Sequence, residues 1–481
     1  MNTAYHPPSV KAVFLVKFDT SVGYEIVWSK TVWNINLSGI EYKCMPSGVH
    51  EFDQDLTLFS HKADKMYYGI SKFRQLNRNA GSDNDRANIS MYSLGCLCEA
   101  ESTEWMPNTF VSNGFEYINY LDECLLTFLT DEENTSVLDA IDFDTIPVNK
   151  FTHPINSLPD FFTKFGPLVF KIYKLSLLRK RIIIFNQSKK DNYLIQVFNY
   201  IISVLSVIPS QLKFDFNRSQ KDFLQPLYNI CLHDLENNDL QLDSFVATTN
   251  DDILMYQPIY DYAIVLNDGL KCPEILSFQD VTQAKKDILK CTFNDYSKFK
   301  IIYKHLLNGD ADPLPTNKSS DNLSINTSAS VLSSFKFLGY GSSSEPNMSY
   351  EPNWWLKDST YPLSWTQYIW SAFSWFASAG FNNQHIEANP EQASNSRPVD
   401  TVEMVEIVGY FHKLTKKWLY LIQDIIVDEM HNGNVVLTYQ DLVNLELDPY
   451  SKHDVAFISD FVKLYWDVDS VEVSSGLNFF C

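Results

Sequence analysis

The apolar positions of the chain change period twice along its length. Up to about residue 150 they fall in short β-rich runs. AVFLVKF is followed by the turn residues Asp19 to Gly23 and then by YEIVWSK, so the chain opens on a hairpin. KMYYGISKF and NISMYSLGCLCE read as further strands across a polar, Asn-rich connection, and NTFVSNGFEYINYLDECLLTFL then takes up a helical period. Residues 10–150 are therefore expected to form a small antiparallel sheet carrying helices. Between 160 and 270 the pattern alternates helix and short all-apolar strand. FGPLVFKIYKLSLL precedes IIIF, and NYLIQVFNYIISVLSVIP precedes QPLYNICL, DSFVATT and YDYAIVL. Strands apolar on both sides, interleaved with helices, predict a mostly parallel sheet buried on both faces.

From 271 the chain reads as helical, through 271–309 and again through 354–481. Two Ser-, Asn- and Pro-rich breaks, 310–353 and 382–400, are expected to be disordered inserts. The run VEMVEIVGYFHKLTKKWLYLIQDIIVDEM is followed by two short helical units. Each opens on a hydroxyl residue with an Asp three positions on, Thr438 with Asp441 and Ser451 with Asp454, the reciprocal arrangement that satisfies the free N–H groups of a helix start.

The chain has 481 residues and a net charge of −21, with 45% hydrophobic residues, enough for two to three cored domains. The acidic balance excludes a nucleic-acid binder, because phosphate neutralisation requires clustered Lys and Arg. Pro7 and Pro8 interrupt the place where a secretory signal would need its apolar core, so a cytoplasmic protein is expected. The eight cysteines are scattered with no C-x-x-C pair and read as reduced core thiols; neither a metal site nor a cofactor site is expected.

A search for catalytic chemistry is negative. There is no P-loop motif, no H-E-x-x-H and no nucleophile elbow after a strand, and His50, His61, His233, His412 and His453 have no evident triad partners. The densest cationic feature is Lys171, Lys174, Arg179, Lys180 and Arg181. Two readings stand for it: ordinary cations near a helix C-terminus, or a patch for phosphate or an acidic partner. Residues Ser359 to Ile386 contain no Asp, Glu, Lys or Arg and include Trp365, Tyr368, Ile369 and Phe376 at helical spacing. A buried helix is the main reading, with a membrane-interface or partner-docking helix as the alternative; the Ser and Thr at every turn argue against a spanning segment of ~20 residues.

Five segments carry a resemblance. VKFDTSVGYEIVW, EYKCMPSGVHEFDQDLTLF, FGPLVFKIYKLSLLRKRIIIF, DSFVATTNDDILMYQPIYDYAIVL and LELDPYSKHDVAFISDFVKLYW stand in an order similar to that of DENN-domain proteins, and the last resembles fungal relatives of the LCHN branch. The likeness covers nearly the whole chain outside the two inserts. It implies a longin-like module over 10–150, a central α/β DENN module over 160–270 and a helical downstream module. It also implies guanine-nucleotide exchange on a Rab-type small GTPase, or an Arf-type one, in vesicle trafficking, without a cofactor, by a cytoplasmic protein peripherally placed on an intracellular membrane. A scaffold or tether that keeps the modules for docking without exchange is the alternative. A hydrolase or nucleotide-binding enzyme on the central sheet is the third reading, without a motif to support it. The loops expected to reach the GTPase carry Asp19, Ser47 and His50 in the first module and Thr249 and Asp251 in the second. Local capping is the competing role for each.

Overall fold

A computed structural model of the chain describes residues 8–46, 48–77, 89–99, 110–132, 134–147, 153–188, 190–208, 222–236, 239–267, 271–283, 287–308, 352–362, 401–429 and 434–474. The opening hairpin forms as its pattern predicts. Strand β1 (Val10–Asp19) pairs antiparallel with β2 (Gly23–Thr31), and the Asp19 carboxylate accepts the Ser21 and Val22 N–H groups across the turn. β3 (Gln54–Lys62), β4 (Met66–Asn77) and β5 (Ile89–Glu99) complete an antiparallel set in the order β3-β4-β5-β1-β2. Two glycines set how tightly it packs. A Cβ on Gly69 would lie 2.5 Å from the Phe59 ring and one on Gly95 would lie 2.7 Å from the Phe14 ring, so their absence lets the Phe14–Phe59 edge contact lie flat on the strands.

The second set is parallel: β6 (Arg181–Asn186), β7 (Gln225–Asn229), β8 (Phe245–Thr249) and β9 (Tyr262–Leu266). A fifth strand, β10 (Glu274–Ser277), adds antiparallel to β9. The first helices are α1 (Ile118–Thr130), α2 (Ser136–Asp139), α3 (Leu158–Phe165), α4 (Leu168–Leu177) and α5 (Asn192–Leu205). The short α6 (Leu232–Glu236) and α7 (Phe278–Thr282) and the longer α8 (Phe293–Asn308) follow.

The pattern predicts two separate sheets, and here the structure differs. All ten strands form one sheet, β10-β9-β6-β8-β7-β3-β4-β5-β1-β2, joined where Phe59 of β3 pairs with Tyr228 of β7. That pairing is too short to satisfy the β3 backbone alone, and side chains complete it. Buried Gln196 on α5 accepts the Leu58 N–H at 2.7 Å, and the Ser60 hydroxyl donates to the Leu227 carbonyl at 3.1 Å. Buried Lys43 donates to the Ser60 carbonyl and pairs with Asp234 beyond β7, while the Asn229 amide donates back to the Lys43 carbonyl at 3.1 Å. The seam is thus closed by polar groups with partners, as buried polar groups require.

Helices α1, α3, α4, α5 and α8 cover one face of the sheet, and the helix Thr401–Glu429 packs against them in the same core. The C-terminal region is therefore helical as expected, but not an independent subdomain. The Tyr173 hydroxyl donates to the Phe411 carbonyl at 3.0 Å, the His412 ring meets the Val204 carbonyl at 2.8 Å and the Tyr465 hydroxyl donates to the Leu177 carbonyl at 2.7 Å. Residues 271 onward are also not all helix: besides β10, β11 (Asn434–Thr438) and β12 (Ser470–Ser474) pair in parallel. The Thr438–Asp441 capping box is present in both directions. Ser451 sits at the start of the helix Lys452–Trp466 but makes no side-chain cap: the Asp454 N–H donates to the Ser451 carbonyl at 3.0 Å, and the Asp454 carboxylate is taken by Lys174 at 2.6 Å and by the Asp448 N–H at 2.9 Å.

This Lys174 contact also bears on the two readings of the cationic cluster. Lys174 is buried between Asp454 and Asp295 of α8, the latter at 2.7 Å. Arg179 is buried and donates to the Ser176 and Ser206 carbonyls, and Arg181 pairs with Asp261 at 2.8 Å. Three of the five cations, Lys174, Arg179 and Arg181, are thus bound within the protein and tie sheet to helices. Trp365, Tyr368, Ile369 and Phe376, the insert 382–400 and all but the last two residues of the insert 310–353 lie outside the described residues.

Lys174→Ala would leave two buried carboxylates without their cation, and a loss of roughly 3–5 kcal/mol is expected in urea unfolding. The acid limb of the same interaction is predictable. Burial alone would raise the Asp295 pKa, but the Lys174 charge prevails and holds it below the usual carboxylate range. Stability from this group is therefore present above about pH 4 and is lost as pH falls through the depressed folded pKa. In Lys174→Ala, acid unfolding should begin at a higher pH than in the wild type.

Candidate functional site

The sense of the strands fixes which loops meet. β1 ends, β3 begins and the parallel strands β6 to β9 end at the same end of the sheet. In open α/β sheets the loops beyond the carboxyl ends of the strands are the usual place for binding.

On the sheet face opposite α5, the connection between β2 and β3 covers the antiparallel strands. Leu37, Ile40, Cys44, Met45 and Val49 are buried there against Phe14 and Phe59. Segments around α6 and the 3-10 turn Asp252–Tyr256 cover the parallel strands, with Leu240 and Leu254 buried on Ile183 and Phe245. The two covers meet in a series of ring contacts. His50 packs edge-on against Phe18 at 5.5 Å, Phe18 against Tyr24 at 5.0 Å, Tyr24 against Tyr42 at 5.9 Å and Tyr42 against His233 at 4.6 Å. The last contact crosses from the first module to the second. Exposed apolar side chains also stand on the loops at this end of the sheet: Val22 is 75% exposed, Tyr42 43%, Ile253 57% and Tyr256 66%. Exposed apolar groups contributed by several loops at one end of a rigid sheet mark an interaction surface better than scattered surface hydrophobics do.

The five residues singled out from the sequence divide. Asp19 caps the hairpin turn, and the Ser21 and Val22 N–H groups hold its carboxyl below the usual range. His50 is exposed in the 3-10 turn Val49–Glu51 and is part of the ring series. Ser47 lies outside the described residues. Asp251 caps the turn Asp252–Tyr256 by accepting the Ile253 N–H at 2.9 Å. Thr249 is buried at the end of β8, where its hydroxyl accepts the Asp251 N–H at 3.1 Å, so it supports the loop from inside and presents no surface. Asp19 and His50 flank one ring, and Thr249 and Asp251 bond to each other. Four strands separate the two pairs, roughly 24 Å at ordinary strand spacing. The groups that connect them, Tyr42 and His233, are not legible as a pair from the sequence because they are far apart in the chain.

Burial pushes the partly buried Cys231 thiol up to about 12, so it stays protonated and is a poor nucleophile. Among the described residues no group of three His, Cys, Asp or Glu is placed to hold a metal ion. A groove of about 150 Å³ bordered by Leu421, Asp424, Ile425, Asp428, Asp441 and Asn444 lies in the helical region, away from this face, and is small for a drug-sized ligand.

Residues 13–145 and 140–271 match the family model of DENN domain-containing protein 11. The chain is similar to the uncharacterized protein ANR2 of Saccharomyces cerevisiae, at 24% identity over 99% of this chain and 94% of that one. It is also similar to the uncharacterized protein C119.16c of Schizosaccharomyces pombe, at 23% identity over 69% of this chain and 80% of that one. With the DENN domain-containing protein 11 of Danio rerio it shares 27% identity over 37% of this chain and 38% of that one, so the alignment spans well under half of the vertebrate protein.

Because Val22 is 75% exposed, Val22→Ser should change unfolding free energy by no more than about 0.5 kcal/mol, whereas Tyr42→Ala also removes two ring contacts and should cost about 1–3 kcal/mol. Thermal unfolding of the two variants checks this, and near-native melting makes Val22→Ser a usable probe of binding.

Proposed function

The chain belongs to the DENN domain-containing protein 11 family, and from that premise we propose that it is a guanine-nucleotide exchange factor for a Rab-type small GTPase in membrane trafficking. The proposed modules are the longin-like residues 10–150 and the central residues 160–270, with the helical region bracing the sheet from behind. The observation that supports this reading most is the ring series from His50 to His233, which places groups of both modules on one exposed face. A protein that opens a nucleotide pocket must hold both switch segments of the GTPase at once, and a face drawn from two modules offers the span for that.

In this reading catalysis is differential binding. The face holds the nucleotide-free conformation of the GTPase more tightly than the nucleotide-bound one, which lowers the barrier to release without making or breaking a bond. Tyr42, Val22, Ile253 and Tyr256 supply apolar contact, and Asp19, His50 and Asp251 border them. Lys174 and the seam do not touch the partner; they hold the loops that do. Membrane location would come from the lipid-anchored partner, and no described helix is long and apolar enough to cross a bilayer. The alternative is a scaffold that docks the GTPase on the same face without exchange.

Nucleotide release from Rab and Arf proteins loaded with a fluorescent guanine nucleotide separates the two. Exchange predicts accelerated release from one or a few Rab proteins, and a loss of roughly 30-fold or more in that rate for Tyr42→Ala if the ring is a central contact worth about 2 kcal/mol. Stable binding to a Rab without acceleration would replace exchange with scaffolding.

A further inference from the structure

The exposed face is bordered by carboxylates. Glu41 precedes Tyr42 in the 3-10 turn Ile40–Tyr42, Glu51 follows exposed His50, and Asp53 stands exposed just before β3. Glu236 lies 3.9 Å from the His233 ring, and Asp252 precedes exposed Ile253. The cations nearby do not offset them. Lys43 is buried and paired with Asp234, with Asp239 at 3.8 Å, and Lys17 points to the opposite sheet face, over the Tyr92 ring. The exposed cations at this end of the sheet among the described residues are Lys190, beyond β6, and Lys271, between β9 and β10, fewer than the carboxylates.

We infer that this face takes a protein surface with an apolar centre and a basic rim; the inference rests on the partner face proposed above and adds the charge of what it accepts. The apolar centre follows from exposed Tyr42, which packs on Tyr24 and His233, with exposed Val22 in the hairpin turn before Tyr24; both gain from a partner that removes them from water. The basic rim follows from charge complementarity, since carboxylates around an apolar contact steer cationic partners and repel anionic ones. The same rim disfavours an anionic lipid surface, so this face points toward a protein and away from the bilayer.

Peptide probes test the charge rule without requiring a GTPase. Three synthetic helical peptides would be titrated into the full chain: one with a Leu/Phe stripe flanked by Lys and Arg, its Glu-flanked counterpart, and a Lys-rich peptide without the stripe. Hydrogen–deuterium exchange would locate the contact. The expected result is protection at 18–24, 40–51 and 231–236 by the first peptide, with at least ~10-fold tighter binding than either control at low salt and a clear weakening as salt is raised. Glu51→Lys/Asp53→Lys/Asp252→Lys, at three exposed carboxylates, should abolish the preference while leaving the melting temperature near that of the wild type. Equal binding of the Lys- and Glu-flanked peptides, or protection elsewhere, would overturn the charge rule even if a GTPase binds. A charge preference that holds while Tyr42→Ala leaves Rab binding and exchange unchanged would instead remove the proposed GTPase reading and keep the rim.

Discussion

The rest of the architecture depends on the closure of the β3–β7 seam. A single strand pairing, Phe59 with Tyr228, would leave the backbone of both edges short of partners inside the protein. An unsatisfied buried N–H costs about 1–3 kcal/mol, so the edge strands would otherwise part or recruit water. Gln196, Ser60, Asn229 and the Lys43–Asp234 pair supply those partners from five different segments. Helix α5 is central to this arrangement, because it packs on β3, β7 and β8 together, and its Asn199 amide also donates to Thr248 at 2.7 Å. Two sheets of opposite character, one antiparallel and one parallel, thereby become one.

From that closure follows the placement of the loops. Phe18, Tyr24, Tyr42 and His50 are carried by the antiparallel half and His233 by the parallel half. A hinge at the seam would separate Tyr42 from His233 and divide the face. The helical region works in the same direction from behind. Lys174 binds α4 to α8 and to the helix Lys452–Trp466, and Trp418 donates to the Leu445 carbonyl at 2.6 Å. Buried ion pairs of this kind contribute little net stability against an apolar core, but breaking one is costly, so they fix which helices are neighbours. Lys43, Lys174 and Arg179 are thus kept inside as ties, while Val22, Tyr42, Ile253 and Tyr256 stand exposed in the loops.

Much of the fold was legible in the sequence where periodicity alone decides it. β1, β4 and β5 show as apolar β-rich runs, and β6, β8 and β9 as short apolar runs between helices, because their side chains are buried in the core, while the edge strand β2 shows through its turn and β-rich residues. β3 was not, since its polar residues Thr57, Ser60 and His61 interrupt the pattern; Ser60 and His61 bond to the carbonyls of Leu227 and Asn36 across long chain separations. Lys174 looked like one of a solvated basic run because its partners lie 121 and 280 residues away. The Ser451–Asp454 spacing marks the helix start correctly but not the reciprocal cap, as the Ser451 N–H bonds the Asp448 carbonyl and the Asp454 carboxylate bonds a distant lysine. At the candidate site, Asp19 and Asp251 show local signals because their bonds are local. The ring series gives no such signal, being made of residues brought together only by the sheet order.

The central claim is that the two modules are one body whose shared end presents a single face. Native-state hydrogen exchange of the Leu58 amide tests it directly, because that N–H has the Gln196 side chain as its partner at the seam. The account predicts protection comparable to that of Ile70 and Leu94 in the middle of the antiparallel half, lost only in global unfolding. Exchange at Leu58 as fast as in the hairpin turn at Ser21, with Ile70 and Leu94 still protected, would mean that the seam opens on its own and would contradict it.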